Sequence, residues 1–137
     1  MENIEGFKKF IYKGSSYTPK VVIRKNGQIG FNAGALHKYD LDLFEYVMLF
    51  ISVDKENRIA VQFTNNEKLS GLIRIQKRKG SFAFSARSFL GLYDIDWSKT
   101  INYDFTWNDA QKIAFFTPNK KVGTTHVKPT KAGALDI

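Results

Sequence analysis

The sequence predicts an α+β fold, a strand-rich pseudo-twofold barrel made of two hairpin–helix–hairpin repeats. Three observations lead there. Apolar residues alternate over short runs that are punctuated by Gly, Asn and Asp, the pattern of half-buried strands joined by tight turns. The same run of residue classes then recurs about fifty positions later. Finally, 43% of the 137 residues are hydrophobic and 12 are Phe, enough to bury a real core in one domain of this size.

The first repeat covers residues 20–65. It opens with "VVIRKNGQIGF", two short strands around Asn26-Gly27, a dipeptide suited to the positive φ angles of a hairpin turn. Alternation places Ile29 and Phe31 on one buried face. Asn32 stands where a helix N-cap is wanted, accepting a bond from an otherwise unpaired amide. A short helix over 33–39 follows, with Leu36 inward and Asp40 ending it. Two further strands, "FEYVMLFISV" and "RIAVQFT", flank a turn at 54–57.

The second repeat, 73–118, reads the same way. "LIRIQKRKGSFAF" is a hairpin turning at Lys79-Gly80, with Phe82 and Phe84 on the buried face. Ser85 is the expected cap of a helix over 86–93, which Asp94 ends. "TINYDFTW" and "KIAFFTP" make the last hairpin, turning at 108–110. At an offset of 53, Gly27 meets Gly80, Phe31 meets Phe84, Asn32 meets Ser85 and Leu36 meets Phe89. With one extra residue Leu41–Leu43 meets 95–97, and "DKENRIAV" meets "NDAQKIAF". Forty residues of this kind bury too little to be stable alone, so the two copies are expected to pack on each other. Residues 1–18 read as an N-terminal extension ahead of a single domain at 19–118. Residues 119–137 read as a flexible basic tail.

Charge is segregated along the chain. The net charge is +8. No acid occurs between Glu5 and Asp40, or between Glu67 and Asp94, and these windows hold Arg24, Lys25, Arg74, Lys77, Arg78, Lys79 and Arg87. Phosphate neutralisation needs clustered cations without nearby carboxylates, so the hairpin–helix elements are the expected nucleic-acid surface. The plainer reading of the run at 74–79 is a solvated turn whose charge blocks edge pairing. Phe82 and Phe84 could instead stack on bases, but Ile29 is the counterpart of Phe82, which favours core packing.

Enzyme classes find little footing. There is no cysteine, so no thiol nucleophile, thiolate metal site or disulfide is possible. His37 and His126 have no neighbour at ligand spacing, Ser85 and Ser88 have no recognisable base, and Walker and dinucleotide fingerprints are missing. Asp40/Asp42 and Asp94/Asp96 recur in both copies and are read as helix ends rather than Mg²⁺ ligands. No catalytic residue, metal or cofactor is expected. No apolar run reaches the roughly 20 residues of a membrane span, and the N-terminus lacks a signal-peptide core. No membrane partner is therefore expected, and the cytoplasm is the default location.

The segments "VVIRKNGQIGFNAGALHKYDL" with "RIAVQF", and "IQKRKGSFAFSARSFLGLYDI" with "KIAFF", resemble the swapped-hairpin transcription-factor domains of the AbrB and MraZ type over roughly residues 20–118. MraZ-type chains carry two copies in tandem. The resemblance implies DNA contact through cations of the first hairpin and helix: Arg24 and Lys25 in one copy, Lys77, Arg78, Lys79 and Arg87 in the other. It also implies transcriptional regulation and a possible homo-oligomer. The alternatives are a single-stranded DNA or RNA binder with aromatic stacking, or a protein-interaction module without enzymatic activity.

Overall fold

Ten strands and two short helices form two antiparallel sheets of five strands in this computed structural model, which describes residues 4–7, 18–52, 57–78 and 81–120. The first sheet contains β1 (Val21–Ile23), β2 (Gln28–Phe31), β6 (Gln76–Arg78), β7 (Ser81–Ser85) and β8 (Ile101–Tyr103). Its strand order is β6-β7-β2-β1-β8. The second contains β3 (Tyr46–Ile51), β4 (Ile59–Thr64), β5 (Ile73–Arg74), β9 (Thr106–Asn108) and β10 (Ile113–Phe116), in the order β5-β3-β4-β10-β9. Helices α1 (Ala33–Tyr39) and α2 (Arg87–Leu92) follow β2 and β7.

The α+β class and the strand positions agree with the sequence. Two expected strands, however, are each broken in two. "LIRIQKR" bends at Ile75, which is buried and donates its N–H to the Glu45 carbonyl at 2.9 Å. β5 therefore pairs with β3 while β6 pairs with β7. "TINYDFTW" divides at Asp104 and Phe105, so that β8 pairs with β1 and β9 with β10. At each break an edge strand of one sheet runs on into an edge strand of the other. Across the second break alternation continues through Ile101, Tyr103, Phe105 and Trp107 and does not reveal the bend, while β6 beyond the first is exposed throughout.

One apolar cluster lies between the sheets. Val21, Ile23, Ile29, Phe31, Phe82 and Phe84 come from the first, and Val47, Ile59, Val61, Phe63, Ala114 and Phe116 from the second. Phe31 meets the Phe63 ring edge-on at 5.3 Å across the interface. Phe82 and Phe84 are 2% and 0% exposed, so neither is available to stack on a base. Core packing is the role the structure gives them.

Turn chemistry departs from expectation in the first hairpin. Gly27 has φ 88°, but Asn26 is not in the left-handed region. The Gly27 N–H donates to the Arg24 carbonyl, and the Arg24 N–H to the Gln28 carbonyl, each at 2.8 Å. The turn is thus a longer loop closed by a left-handed glycine rather than a two-residue turn. The Lys79-Gly80 turn and most of the 54–57 turn lie outside the described residues. At the last hairpin, Asp109 accepts from Lys112 and from the Trp107 indole. Those hydrogen bonds, Lys112 first, hold its carboxyl below the usual carboxylate range. A depressed carboxylate steadies the fold above its unfolded value and loses that effect as pH falls through the folded one. Asp109 is fully exposed, so little is at stake.

The two helix starts differ. Asn32 Oδ1 accepts from the Ala35 N–H and from the Lys20 N–H, both at 3.0 Å, and its amide donates to the Thr18 carbonyl at 2.7 Å. Ser85 remains in β7, opposite Gln28, and α2 starts one residue late on Ala86 with no side-chain cap. The expected Ser85 cap is corrected on that point. Asn32→Ala should lower unfolding free energy by about 1–2 kcal/mol and Ser85→Ala by less than about 0.5 kcal/mol, read from urea midpoints. Asp40 and Asp94 both end their helices in the left-handed region, at φ 52° and 54°. Asn119 and Lys120 pair with Asp96 and Ile95. The remainder of the tail, 121–137, and the N-terminal residues 8–17 lie outside the described residues.

Candidate nucleic-acid interface

The outward face of the first sheet carries one continuous row across all five strands: Gln76, Ala83, Gly30, Val22 and Asn102. Its centre is built from the two smallest side chains available, both buried, with Arg24 lying against Gly30. Arg24 lies two residues beyond Val22, and Arg78 two beyond Gln76, so alternation puts both arginines on this face. Helix α1 rises at one side. Between them is a cleft of about 740 Å³, lined by Arg24, Arg78, Val22, Leu36, Asn102 and the α1 residue His37, with Asp40 at the end of α1 and Asp42 just beyond it.

Arg24 is laid flat by the missing side chain at position 30. A Cβ there would stand 3.1 Å from Arg24 Nη2 and 3.1 Å from the Phe82 carbonyl oxygen. Arg24 Nη1 donates to Gln28 Oε1 at 3.4 Å, and Gln28 Nε2 in turn to Gln76 Oε1 at 3.4 Å. Among the described residues, neither Arg24 nor Arg78 has a carboxylate oxygen within 4.0 Å. Neither guanidinium group is neutralised by a carboxylate, and Arg24 spends one donor on Gln28. Gly30→Ala should lift Arg24 off the sheet; we expect anion affinity to fall about three- to tenfold with stability changed by less than about 1 kcal/mol, measured by titration and urea unfolding.

Two more of the predicted cations sit at the adjacent β1–β2 turn. The Arg87 stem packs over Gly27, where a Cβ would come within 2.0 Å of its Cγ. Its guanidinium is 5.7 Å from the Trp97 ring centroid, a cation–π distance. Lys25 is exposed, and its N–H donates to Thr100 Oγ1 at 3.2 Å.

Arg74 and Lys77 go elsewhere. The pairing of Tyr46 with Arg74 brings Glu45 alongside. Glu45 then holds Lys77 at 3.0 Å and Arg74 at 3.7 Å. Lys77 also donates to the Asp42 carbonyl at 2.7 Å, and Arg74 covers the Tyr46 ring at 5.2 Å. A window free of acids along the chain is thus not free of them in space. Lys79 lies outside the described residues.

Sequence reasoning named the arginines and missed the small residues at the centre of the row. Gly30 and Ala83 occupy matching positions at the offset of 53, a usable signal, since small residues in mid-strand mark close approach. Asn102 and Trp97 carried no signal. Among the described residues no helix is long and apolar enough to cross a membrane. No family model matches this chain, and neither a curated protein nor a solved structure matches it.

Proposed function

We propose that the chain binds DNA through the outward face of its first sheet, as a regulator of transcription, and that its fold is a fused doublet closed into a barrel. The observation that carries the binding reading is the convergence of Arg24 and Arg78 on one cleft, neither of them ion-paired among the described residues, although Asp40 and Asp42 line its far side. Lys25 and Arg87 extend the cationic surface at the neighbouring turn. Phosphate neutralisation by such side chains supplies most of the affinity of a DNA-binding protein, and forked guanidinium groups suit phosphate oxygens.

The doublet reading is supported by strand registers. In the central pair of the first sheet, Gly30 faces Ala83, its own counterpart. Val22 is to Gly30 as Gln76 is to Ala83, which makes Arg24 and Arg78 counterparts too. In the second sheet Ala60 faces Phe115, and Asn57 and Lys112 are both left-handed, at φ 55° and 58°. These pairs require an offset of 55 in the last hairpin, one more than the sequence alignment used there. Barrel closure is supported by the two chain segments that pass from one sheet edge to the other.

The test is an equilibrium titration of the full chain with duplex DNA, single-stranded DNA and RNA over a salt series. Duplex binding whose affinity falls with a log–log slope near 0.9 per phosphate contacted is the expected result. Salt-insensitive binding, or none, refutes the proposal. Preference for single strands would move the partner class instead.

A further inference from the structure

The cleft between Arg24, Arg78 and α1 is not uniformly cationic, and its polarity points to a particular ligand. Arg24 and Arg78 line it from the sheet, whereas Asp40 lines it from the end of α1 and Asp42 from the 3-10 turn Leu41–Leu43 that follows. Among the described residues no ion pair joins the two sets. A bare anion would be drawn to the arginines and repelled by the carboxylates. A ligand that is anionic at one end and rich in hydrogen-bond donors at the other satisfies both.

We propose that the cleft holds a single nucleotide unit, with its phosphate on Arg24 and Arg78 and its base edge toward Asp40 and Asp42. The choice of a nucleotide, rather than another amphoteric molecule, rests on the nucleic-acid reading above. The volume of about 740 Å³ falls within the range of small-molecule sites. Val22 and Leu36 offer apolar walls for the base and sugar. The exposed Asn102 side chain has no hydrogen-bond partner among the described residues, so it is free to serve as donor or acceptor. Asn32, by contrast, spends its amide on the chain itself and contributes framework only.

Carboxylates accept from exocyclic amino groups and reject carbonyl edges. The site therefore discriminates among bases: cytosine presents an amino group where uracil presents an oxygen. Cytidine monophosphate should bind about tenfold more tightly than uridine monophosphate, and inorganic phosphate more weakly than either. The nucleotide can come free in solution or as an unpaired unit of a strand. Competition of cytidine monophosphate against a short oligocytidylate distinguishes these sources.

The experiment is calorimetric titration of the full chain with cytidine monophosphate, uridine monophosphate and inorganic phosphate, alongside duplex titration on the same samples. Two variants accompany the wild type. Asp40→Asn/Asp42→Asn is mild, because asparagine tolerates the left-handed backbone at position 40. It should erase the cytosine preference and leave phosphate binding intact or stronger. Arg24→Ala/Arg78→Ala should abolish all three ligands. Equal affinity for the three probes, or a base preference that survives the carboxamides, overturns the inference. Duplex binding without any nucleotide binding also overturns it, while leaving the DNA proposal standing. Nucleotide binding with its base preference, but without duplex or single-strand binding, upholds the pocket and removes the DNA proposal.

Discussion

Arg24→Ala/Arg78→Ala is expected to weaken duplex binding roughly a hundredfold at low salt and to flatten the log–log salt slope by about 1.8. The first figure follows from two charge-assisted hydrogen-bond donors at about 1.5–3 kcal/mol each, discounted for solvent screening on an open face. The second follows from two phosphates that no longer lose counterions. The matched control is Arg74→Ala/Lys77→Ala, which removes the same formal charge. Both of its side chains already face Glu45, so its affinity should change less than about fivefold. Equal losses in the two double variants would mean that bulk charge, not the cleft, drives binding. Far-ultraviolet circular dichroism and urea midpoints exclude unfolding as the cause.

That contrast also measures how far the sequence carries the site. Cations on the β1–β2 and β6–β7 hairpins were legible because charge and alternation are local properties. Their sorting was not. Lys25 lies opposite Arg78 in the sequence alignment, whereas under the proposed doublet the pairings of Val22 with Gly30 and Gln76 with Ala83 would match Arg24 to Arg78. A shift of one residue turns a side chain to the other face of a sheet, so an alignment correct in class can still misplace the reacting group. Glu45 is a second instance. It is 29 positions from Arg74 in sequence, and only the bend at Ile75 brings β5 to its side.

The fold was legible where local chemistry and burial agree. Helix α1 has its boundaries where Asn32 and Asp40 put them, because one side chain caps the start and one left-handed residue ends the helix. Helix α2 begins late because Ser85 is committed to the ladder with Gln28. Backbone pairing in a central strand outweighs a single capping bond. The sheet-switching segments were not legible, since nothing in an alternating run says which of two partners each half will choose.

Phe84→Ala is the substitution expected to cost the most stability, about 3–5 kcal/mol. Phe84 is fully buried and pairs with Ile29 at the centre of the first sheet. Removing the ring leaves a cavity that a close-packed strand pair cannot collapse to fill. For a unit near 100 residues, each kcal/mol moves the melting temperature by about 4–8 °C, so a fall of about 12–40 °C is anticipated. Phe50→Ala, at 47% exposure on the second sheet, should cost less than about 1 kcal/mol and serves as the control. The pair discriminates between two roles for the aromatic residues. Were Phe84 a stacking platform, its loss would spare the urea midpoint and reduce single-strand affinity by about 1–3 kcal/mol. A buried ring predicts the reverse: a large loss of stability, with affinity near wild type at temperatures where the variant stays folded.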